Sequence, residues 1–157
     1  MEVQQLLGYF LNPVALRFDL SGDPTVRELL RQSLEVTSGA LSHDDVPLEY
    51  LVRELKPTSD LDRHPLFQMV ITLAPPMPEL DPGWNQTPMD VDSGGAKWDL
   101  YLELSERPTG IIGRAQYNTD LFTPATISQM LQQFEMLLEA LVVNPERRIS
   151  ELPSLCS

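Results

Sequence analysis

The residues most able to do chemistry lie together in one stretch, 42–52, which reads SHDDVPLEYLV. It places His43 beside three carboxylates, and such side chains build metal sites and acid–base pairs. A zinc-type site needs further histidine or cysteine ligands at close spacing, but the other histidine is His64 and the one cysteine is Cys156. The stretch is therefore not predicted to bind a metal.

The same stretch has the composition of a helix start. Aspartate accepts hydrogen bonds from the free N–H groups of a first turn, and proline fits that turn because it needs no N–H partner. We expect Asp44 or Asp45 to cap the helix and Pro47 to open it, with Glu49 pairing with Arg53 one turn later. The buried stripe of this helix is predicted to be Leu48, Leu51, Val52 and Leu55.

The rest of the chain shows no pattern of an active site. It contains no Gly-x-Ser-x-Gly turn, its cysteine lies in a terminal segment with nothing to hold a thiolate, and its eight glycines form no phosphate loop. The carboxylate pairs Asp60/Asp62 and Asp90/Asp92 are typical of a solvated acidic surface rather than of acid–base catalysis. We predict no catalytic residue and no bound cofactor.

Composition narrows the classes of partner. The 157 residues carry 11 Lys and Arg against 23 Asp and Glu, a net charge of -12, which repels phosphate backbones and anionic lipids. One cysteine allows no internal disulfide, and the N-terminus lacks the basic start of a signal peptide. No apolar run reaches the roughly 20 residues of a membrane span. We expect one cytoplasmic domain, 1–157, that binds neither nucleic acid nor membrane.

Apolar periodicity predicts the elements of the first half. Alternation over residues 14–20 predicts a strand, and Asp23 and Pro24 are expected to cap and open a helix that ends near Leu41. The three-and-four spacing predicts the inner stripe of this helix to be Val26, Leu29, Leu30, Leu34, Thr37, Ala40 and Leu41. The apolar run 66–73 is predicted to be a strand covered on both faces, at the centre of the sheet.

The second half predicts a hairpin followed by a long helix. The alternating residues 98–104 and the run 111–118 flank a turn that contains proline and glycine. Thr123 and Pro124 are expected to cap and open an amphipathic helix that ends at Asn144. The order of all these elements predicts an α+β two-layer fold, a mixed β-sheet with helices packed on it.

Several blocks of the sequence, taken in order, resemble the condensation domains of nonribosomal peptide synthetases, within the chloramphenicol-acetyltransferase-like superfamily. The blocks are LGYFLNPVALR (7–17), HDDVPLEYLV (43–52), SDLDRHPLFQ (59–68), WDLYLEL (98–104), YNTDLF (117–122) and NPERRISELP (144–153). The first three are similar to the family's Gly-x-Phe-x-Asn-Thr, His-Gln-Asp-x-Pro-Phe-Glu-x-Leu-Val and Arg-Asp-x-Ser-Arg-Asn-Pro-Leu blocks. The departures from them are Pro13, Asp44, Leu48, Ser59 and Asp62.

The resemblance implies that residues 1–157 are the C-terminal lobe of such a domain, a chloramphenicol-acetyltransferase-like half-domain. In the family, two similar lobes form a V, and the His-His-x-x-x-Asp-Gly signature lies on the N-terminal lobe; this chain has no adjacent histidines. The intact domain joins an acyl group and an aminoacyl group, each on a carrier domain's phosphopantetheine arm, through an amide. We therefore expect this lobe to be inactive alone, to supply tunnel wall and carrier docking surface, and to cross to the other lobe through the Pro-rich loop 75–96.

The resemblance also suggests roles for residues of the matching blocks. Those expected at the substrate tunnel or lobe junction are Gly8, Phe10 and Asn12. Those expected to be structural are Arg17, His43, Asp45, Pro47, Glu49, Arg63, Pro65, Tyr117 and Asn118. Arg63 is expected to tie Asp60 or Asp45 to the backbone, since a buried arginine without a carboxylate is costly.

The same resemblance implies the partners. They are the N-terminal condensation lobe, peptidyl carrier domains that bring the phosphopantetheine-borne substrates, and an adjacent adenylation domain. A homodimer through the exposed lobe-interface surface is also expected, because apolar patches beyond roughly a few hundred Å² drive self-association. Three alternatives stay open: a non-catalytic scaffold for carrier or adenylation domains, the equivalent lobe of an epimerization or cyclization domain, and a complete small enzyme.

Overall fold

The computed structural model describes residues 12–57, 64–74, 83–84, 89, 94–107 and 110–153. Its helices and strands, in chain order, are α1 Val26–Leu41, α2 Leu48–Leu55, β1 Met69–Ala74, β2 Leu100–Arg107, β3 Gly110–Tyr117 and α3 Pro124–Val143, and a short 3-10 turn follows at Ile149–Glu151. The chain divides into two compact units: unit 1 is Met1–Asp60 with Met136–Ser157, and unit 2 is Leu61–Glu135. Helices with a mixed sheet confirm the α+β class.

Helix α1 begins slightly later in the chain than the sequence suggested. Thr25, not Asp23, is its N-cap: the Thr25 hydroxyl accepts from the Glu28 N–H at 3.2 Å, and the Glu28 carboxylate accepts from the Thr25 N–H at 2.8 Å. This reciprocal pair satisfies two N–H groups that would otherwise have no helical partner. Asp23 instead has a positive φ of 52° and bonds elsewhere.

The buried face of α1 is only partly the predicted one. Val26 is completely buried, at 0% exposure, and starts the face. The predicted members Leu30, Leu34 and Leu41 are 55%, 68% and 56% exposed, so they lie beside that face on the solvent side. Helical spacing predicts which residues share one face of a helix, but the segments that pack against the helix decide how many of them are buried.

The strand predicted over residues 14–20 is not formed. Residues 12–20 have no regular secondary structure, and Leu16, Phe18 and Leu20 are 40–52% exposed. A strand needs a neighbour to satisfy its backbone N–H and C=O groups, and alternation in the sequence does not supply one. None of the described strands pairs with this segment.

Unit 2 is built on a mixed three-stranded sheet in the order β1-β2-β3. Strand β1 runs parallel to β2, with Met69 beside Leu100, and β2 runs antiparallel to β3, with Leu100 beside Tyr117. Within the described residues β1 is therefore an edge strand and not the central strand that the apolar run predicted. The predicted hairpin is confirmed as β2–β3, and Gly110 at φ 128° occupies the conformation that favours glycine there.

The last helix follows the sequence closely. The Thr123 hydroxyl accepts from the Thr126 N–H at 3.2 Å, Pro124 is the first helical residue, and the helix ends at Val143, just before Asn144 and Pro145. Its first turn contributes Ile127, which at 5% exposure is one of the most buried side chains of unit 2, with Leu102 of β2 at 6%. The partition into units falls within this helix, between residues 135 and 136.

Candidate functional site

Asn12 holds the connection between α1 and α2. Its Nδ2 group donates to the backbone carbonyl oxygens of Asp44 and Val46, both at 2.8 Å. Its Oδ1 accepts from the backbone N–H of Leu48 at 3.4 Å. Because Leu48 is the first residue of α2, its N–H has no acceptor within the helix, and Asn12 supplies one from a distant segment.

The carboxylates of the 42–52 stretch do not perform the predicted capping. The N-cap position of α2 is Pro47, which makes no side-chain cap bond, and the carboxylates of Asp44 and Asp45 are exposed. The aspartate that matters in this loop, Asp44, contributes its backbone carbonyl to Asn12. A side chain from a distant segment thus fills the site that the local sequence offered to aspartate.

His43 closes the C-terminus of α1. Its Nδ1 lies 2.9 Å from the Gly39 carbonyl oxygen, which also accepts from the Ser42 hydroxyl at 2.7 Å. A carbonyl can only accept, so Nδ1 donates and carries the proton. Histidine near a helix C-terminus satisfies carbonyls that lack helical partners, and this is a structural use of the residue.

Helix α2 has one strongly buried anchor, Leu48, at 7% exposure. Leu51 and Val52 are half-buried, whereas Leu55 is 65% exposed although the spacing predicted it in the buried stripe. The predicted pair between Glu49 and Arg53 is not formed: the Arg53 guanidinium lies 3.6 Å from Glu54 and over the Tyr50 ring at 4.8 Å from its centroid.

A clasp between the start of α1 and the segment 145–151 completes unit 1. The Asp23 carboxylate accepts from the Ser150 N–H at 2.9 Å and from the Ser150 hydroxyl at 2.8 Å, and Arg148 donates to the Asp23 carbonyl at 2.7 Å. The N–H groups of Val26 and Arg27 donate to carbonyl oxygens of this segment at 2.9 Å. The first turn of α1 is therefore satisfied partly by backbone more than a hundred residues away.

Hydrogen bonds set the electrostatics of this clasp. The Ser150 hydroxyl and N–H hold the pKa of Asp23 below its ordinary value, and the nearby Arg148 acts in the same direction. The N–H and hydroxyl of Thr25 likewise lower the pKa of Glu28. Ser21 lowers the pKa of Asp19, because its hydroxyl and N–H bond to the ionised carboxylate. None of these three carboxylates is buried, and they support the fold rather than forming a buried acid–base pair.

In unit 2, His64 is packed in an aromatic group just before β1. Its ring stacks on Phe67 at 4.2 Å between centroids and meets Trp98 edge-on at 5.3 Å, and the Lys97 ammonium lies 5.1 Å from the Trp98 ring centroid. The His64 Nδ1 accepts from the backbone N–H groups of Leu66 and Phe67, both at 3.4 Å. These two long bonds place the ring proton on Nε2 and tie the imidazole to its own turn.

Tyr117 and Asn118 form the junction between β3 and α3. Tyr117 ends β3 opposite Leu100, and the Asn118 N–H donates to the Asp99 carbonyl at 3.0 Å. The Asn118 Oδ1 accepts from the Asp120 N–H at 3.0 Å, a local turn that asparagine favours. Asn118 therefore contributes its backbone and its side chain to this junction, and Tyr117 contributes its place in the β2–β3 ladder.

One face of β1 is apolar and exposed. Met69, Ile71 and Leu73 are 54%, 53% and 69% exposed, and in the register they stand beside Leu100, Leu102 and Leu104 of β2. Alternate residues of a strand share one face. We call Met69, Ile71 and Leu73 the β1 apolar face.

The predicted site residues are not brought into one cluster. Gly8, Phe10 and Arg63 lie outside the described residues, as does Asp60, so the expected tie of Arg63 is untested. Asn12, His43, Asp45, Pro47 and Glu49 lie at or beside the α1–α2 connection, Pro65, Tyr117 and Asn118 lie in unit 2, and Arg17 is exposed in the segment before α1. Sequence reasoning missed Asp23 with Ser150 as a structural pair; the block NPERRISELP contained Ser150, but no local signal linked it to Asp23.

The described residues contain no group of three or more His, Cys, Asp or Glu side chains that could hold a metal ion. Within the same part of the chain, no helix has the length and hydropathy needed to cross a bilayer.

Comparison with known proteins identifies the type of domain. The family model described as Condensation domain matches residues 2–156. A linear gramicidin synthase of Brevibacillus parabrevis is 36% identical over 156 residues, which cover 97% of this chain and 3% of that protein. The dimodular nonribosomal peptide synthase of Bacillus subtilis (strain 168) is 38% identical over 158 residues, covering 96% of this chain and 7% of that protein.

Solved structures agree with the sequence relatives. A complex of the X-domain and OxyB from teicoplanin biosynthesis matches with a TM-score of 0.82 and 30% identity, over 100% of this chain and 35% of the solved chain. A four-domain nonribosomal peptide synthetase bound to AMP and glycine matches with a TM-score of 0.83 and 26% identity, over 98% and 13%.

Fold and relatives together place this molecule among the domains of nonribosomal peptide synthetases. The chain belongs to the condensation-domain family, since the family model covers nearly all of it. It spans well under a tenth of the length of the curated relatives and about a third or less of the solved chains.

Proposed function

We propose that this chain is the C-terminal lobe of a condensation domain, which forms an amide between a carrier-tethered acyl donor and a carrier-tethered aminoacyl acceptor. The lobe supplies tunnel wall and carrier docking surface, and a partner lobe supplies the His-His-x-x-x-Asp-Gly signature. The observation that carries this proposal is the family match over residues 2–156, combined with coverage of only 35% of a solved X-domain chain.

The hydrogen bonds of the two histidines bear differently on where the general base lies. A general base must reach the transferred proton within about 3 Å and be able to accept it. The acceptor nitrogen of His64, Nδ1, is already bonded to its own turn. The Nδ1 of His43 donates to the end of α1, which leaves its Nε2 able to accept a proton, so we assign the base to the partner lobe and test His43 by substitution.

The β1 apolar face supports the idea that a partner covers this chain. Three apolar side chains in successive positions on one face of a strand, all more than half exposed, are unusual for a surface that remains in water. On this proposal, the tunnel-wall or lobe-junction role extends to Gly8, Phe10 and Asn12, and substrates arrive on the phosphopantetheine arms of peptidyl carrier domains without a bound cofactor. An adjacent adenylation domain and a cytoplasmic location complete the proposal.

Complementation tests the proposed function. The chain is mixed with a separately produced N-terminal lobe and two carrier domains, one loaded with an acyl group and one with an aminoacyl group. The expected result is amide formation that needs both lobes, measured as dipeptide on the acceptor carrier by intact-protein mass spectrometry. Turnover by this chain alone would refute the proposal.

The histidine variants provide the matched control. His43→Ala and His64→Ala should each retain complemented activity within about threefold, provided circular dichroism shows that the variant is folded. Loss of a true general base would cost about 10²–10⁴-fold. A loss of that size in either folded variant would place a catalytic group on this chain.

A second candidate is a non-catalytic scaffold, favoured by one observation. The matching X-domain was solved as a complex with OxyB, so a domain of this fold and 30% identity holds a partner protein. Under this alternative the chain would bind carrier or adenylation domains in a pull-down experiment but give no amide in the complementation assay.

A further inference from the structure

Every hydrogen-bonding group of the Asn12 side-chain amide has a partner, and all of these partners lie in the short backbone stretch 44–48. Its two Nδ2 hydrogens go to the carbonyls of Asp44 and Val46, and its Oδ1 takes the Leu48 N–H. A side-chain amide has two donors and a carbonyl oxygen, and here each finds a backbone partner. The site is half-buried, so an amide removed from it would leave carbonyls with less access to water.

No other side chain of the loop performs this task. His43 is bonded to the end of α1, and the exposed carboxylates of Asp44 and Asp45 make no cap to α2. Asn12 is also 32 to 36 residues away from its partners in the sequence. The three bonds therefore join the start of the segment 12–20 to the loop between the two helices.

We propose that Asn12 is a positioning residue that pins the start of the segment 12–20 to the α1–α2 loop and to the first residue of α2. The consequence for peptide synthesis rests on the proposed function: Asn12 is one of the residues assigned there to the tunnel wall or lobe junction, so the pin would hold that part of the junction in place. Asn12 touches backbone and acts through it; no contact with substrate is part of the proposal.

Asn12→Asp tests the pin with almost no change of shape. The carboxylate keeps an acceptor for the Leu48 N–H but loses both donors, and at pH 7 it places a negative charge against two carbonyl oxygens. We expect the melting temperature to fall by about 5 °C relative to the natural chain. A protonated carboxyl regains one donor, so the deficit should shrink as pH falls toward about 4, where aspartate takes up its proton.

The stability of the variant depends on pH because ionisation at position 12 is coupled to folding. The ionised carboxylate that Asn12→Asp introduces is disfavoured in the folded protein, so its folded pKa lies above the unfolded value, and the penalty grows as pH rises through that window. The exposed carboxylates of Asp44, Asp45 and Glu49 near the loop are common to both proteins. Their negative charges act in the same direction as the two carbonyl oxygens, against the carboxylate introduced at position 12, so the natural chain measured at each pH is the reference.

Asn118→Asp is the matched control, because the structure uses only Oδ1 of the Asn118 side chain, as an acceptor from the Asp120 N–H. The same change of charge should shift the melting temperature there by less than about 2 °C, since an aspartate keeps that bond. Asn12→Ala should show a deficit that is independent of pH, because alanine does not titrate. The proposed role of Asn12 would be wrong if Asn12→Asp did not lower the melting temperature, lowered it no more than Asn118→Asp, or lowered it by an amount that did not change with pH.

The second arm uses the whole synthetase that carries this domain. Asn12→Asp should lower kcat for condensation by roughly tenfold with KM for the acceptor carrier nearly unchanged, because misplacing a tethered segment costs orientation rather than docking. If the melting experiments confirmed the three bonds of Asn12 but Asn12→Asp left kcat unchanged, the proposed positioning role in condensation would be wrong. The proposed function is tested separately by the complementation assay, so failure of one does not imply failure of the other.

Discussion

Val26 offers the sharpest test of the packing, because its side chain has no exposed surface, which holds for no other side chain among the described residues. We consider Val26→Ala at the first residue of α1, where the Val26 N–H also donates to the Arg147 carbonyl at 2.9 Å. The backbone bond survives the substitution, so only side-chain packing is removed. The matched control is Val142→Ala, the same change near the end of α3 at 84% exposure.

The expected magnitude follows from burial. Valine to alanine deletes two methyl equivalents, worth about 0.8 kcal/mol each when buried, and an unfilled cavity adds to this. Val26→Ala should therefore cost about 2 kcal/mol of unfolding free energy. Alanine is the better helix former by at most about 0.7 kcal/mol. Both positions lie at helix ends, so this term is small and nearly cancels in the difference between the two variants.

Urea denaturation followed by circular dichroism measures the free energy of unfolding. Equal slopes in the two variants would show that the difference reflects stability rather than a changed unfolded state. In a thermal melt the same difference corresponds to about 4–8 °C for a chain of this size. If the two variants differed by less than about 0.5 kcal/mol, Val26 would not be a packed core residue and the burial argument for unit 1 would be wrong.

Three further outcomes are expected. The free energy of unfolding should fall as pH drops below about 4, because the Ser150 bonds favour the ionised Asp23 carboxylate and lower its pKa in the folded protein. Asp23→Asn should make this pH dependence weaker. Superimposable pH profiles of the variant and the natural chain would contradict the prediction. The chain should self-associate through the β1 apolar face, and Ile71→Thr on that face should weaken the association constant roughly tenfold in sedimentation equilibrium. A strictly monomeric natural chain would contradict the argument from exposure. Gly110→Ala, at a φ of 128°, should destabilise the hairpin by about 1 kcal/mol or more. Gly113→Ala should cost less, because its new methyl group would meet the Leu104 side chain at an ordinary 3.4 Å. Equal melting temperatures of the two variants would refute this prediction.

The elements that the sequence predicted well are those with local causes. The β2–β3 hairpin pairs residues close in sequence, and α3 carries its cap and first-turn proline next to its own apolar stripe. The end of α1 and the position of α2 were likewise readable from nearby residues. The family resemblance added the type of domain, which the comparisons confirm, and which composition and periodicity alone would have left at an α+β fold.

What the sequence by itself determined is therefore which residues are inclined to form helices and a hairpin, and that no local cluster supplies a metal or nucleophile pattern. Tertiary structure alone decided where α1 and α2 receive their caps, that residues 14–20 are not a strand, and that β1 lies at an edge of the described sheet. The physical reason is the same in each case. Hydrogen-bond partners such as Asn12 for Leu48 and Ser150 for Asp23 come from segments far apart in the chain, and only folding brings them together.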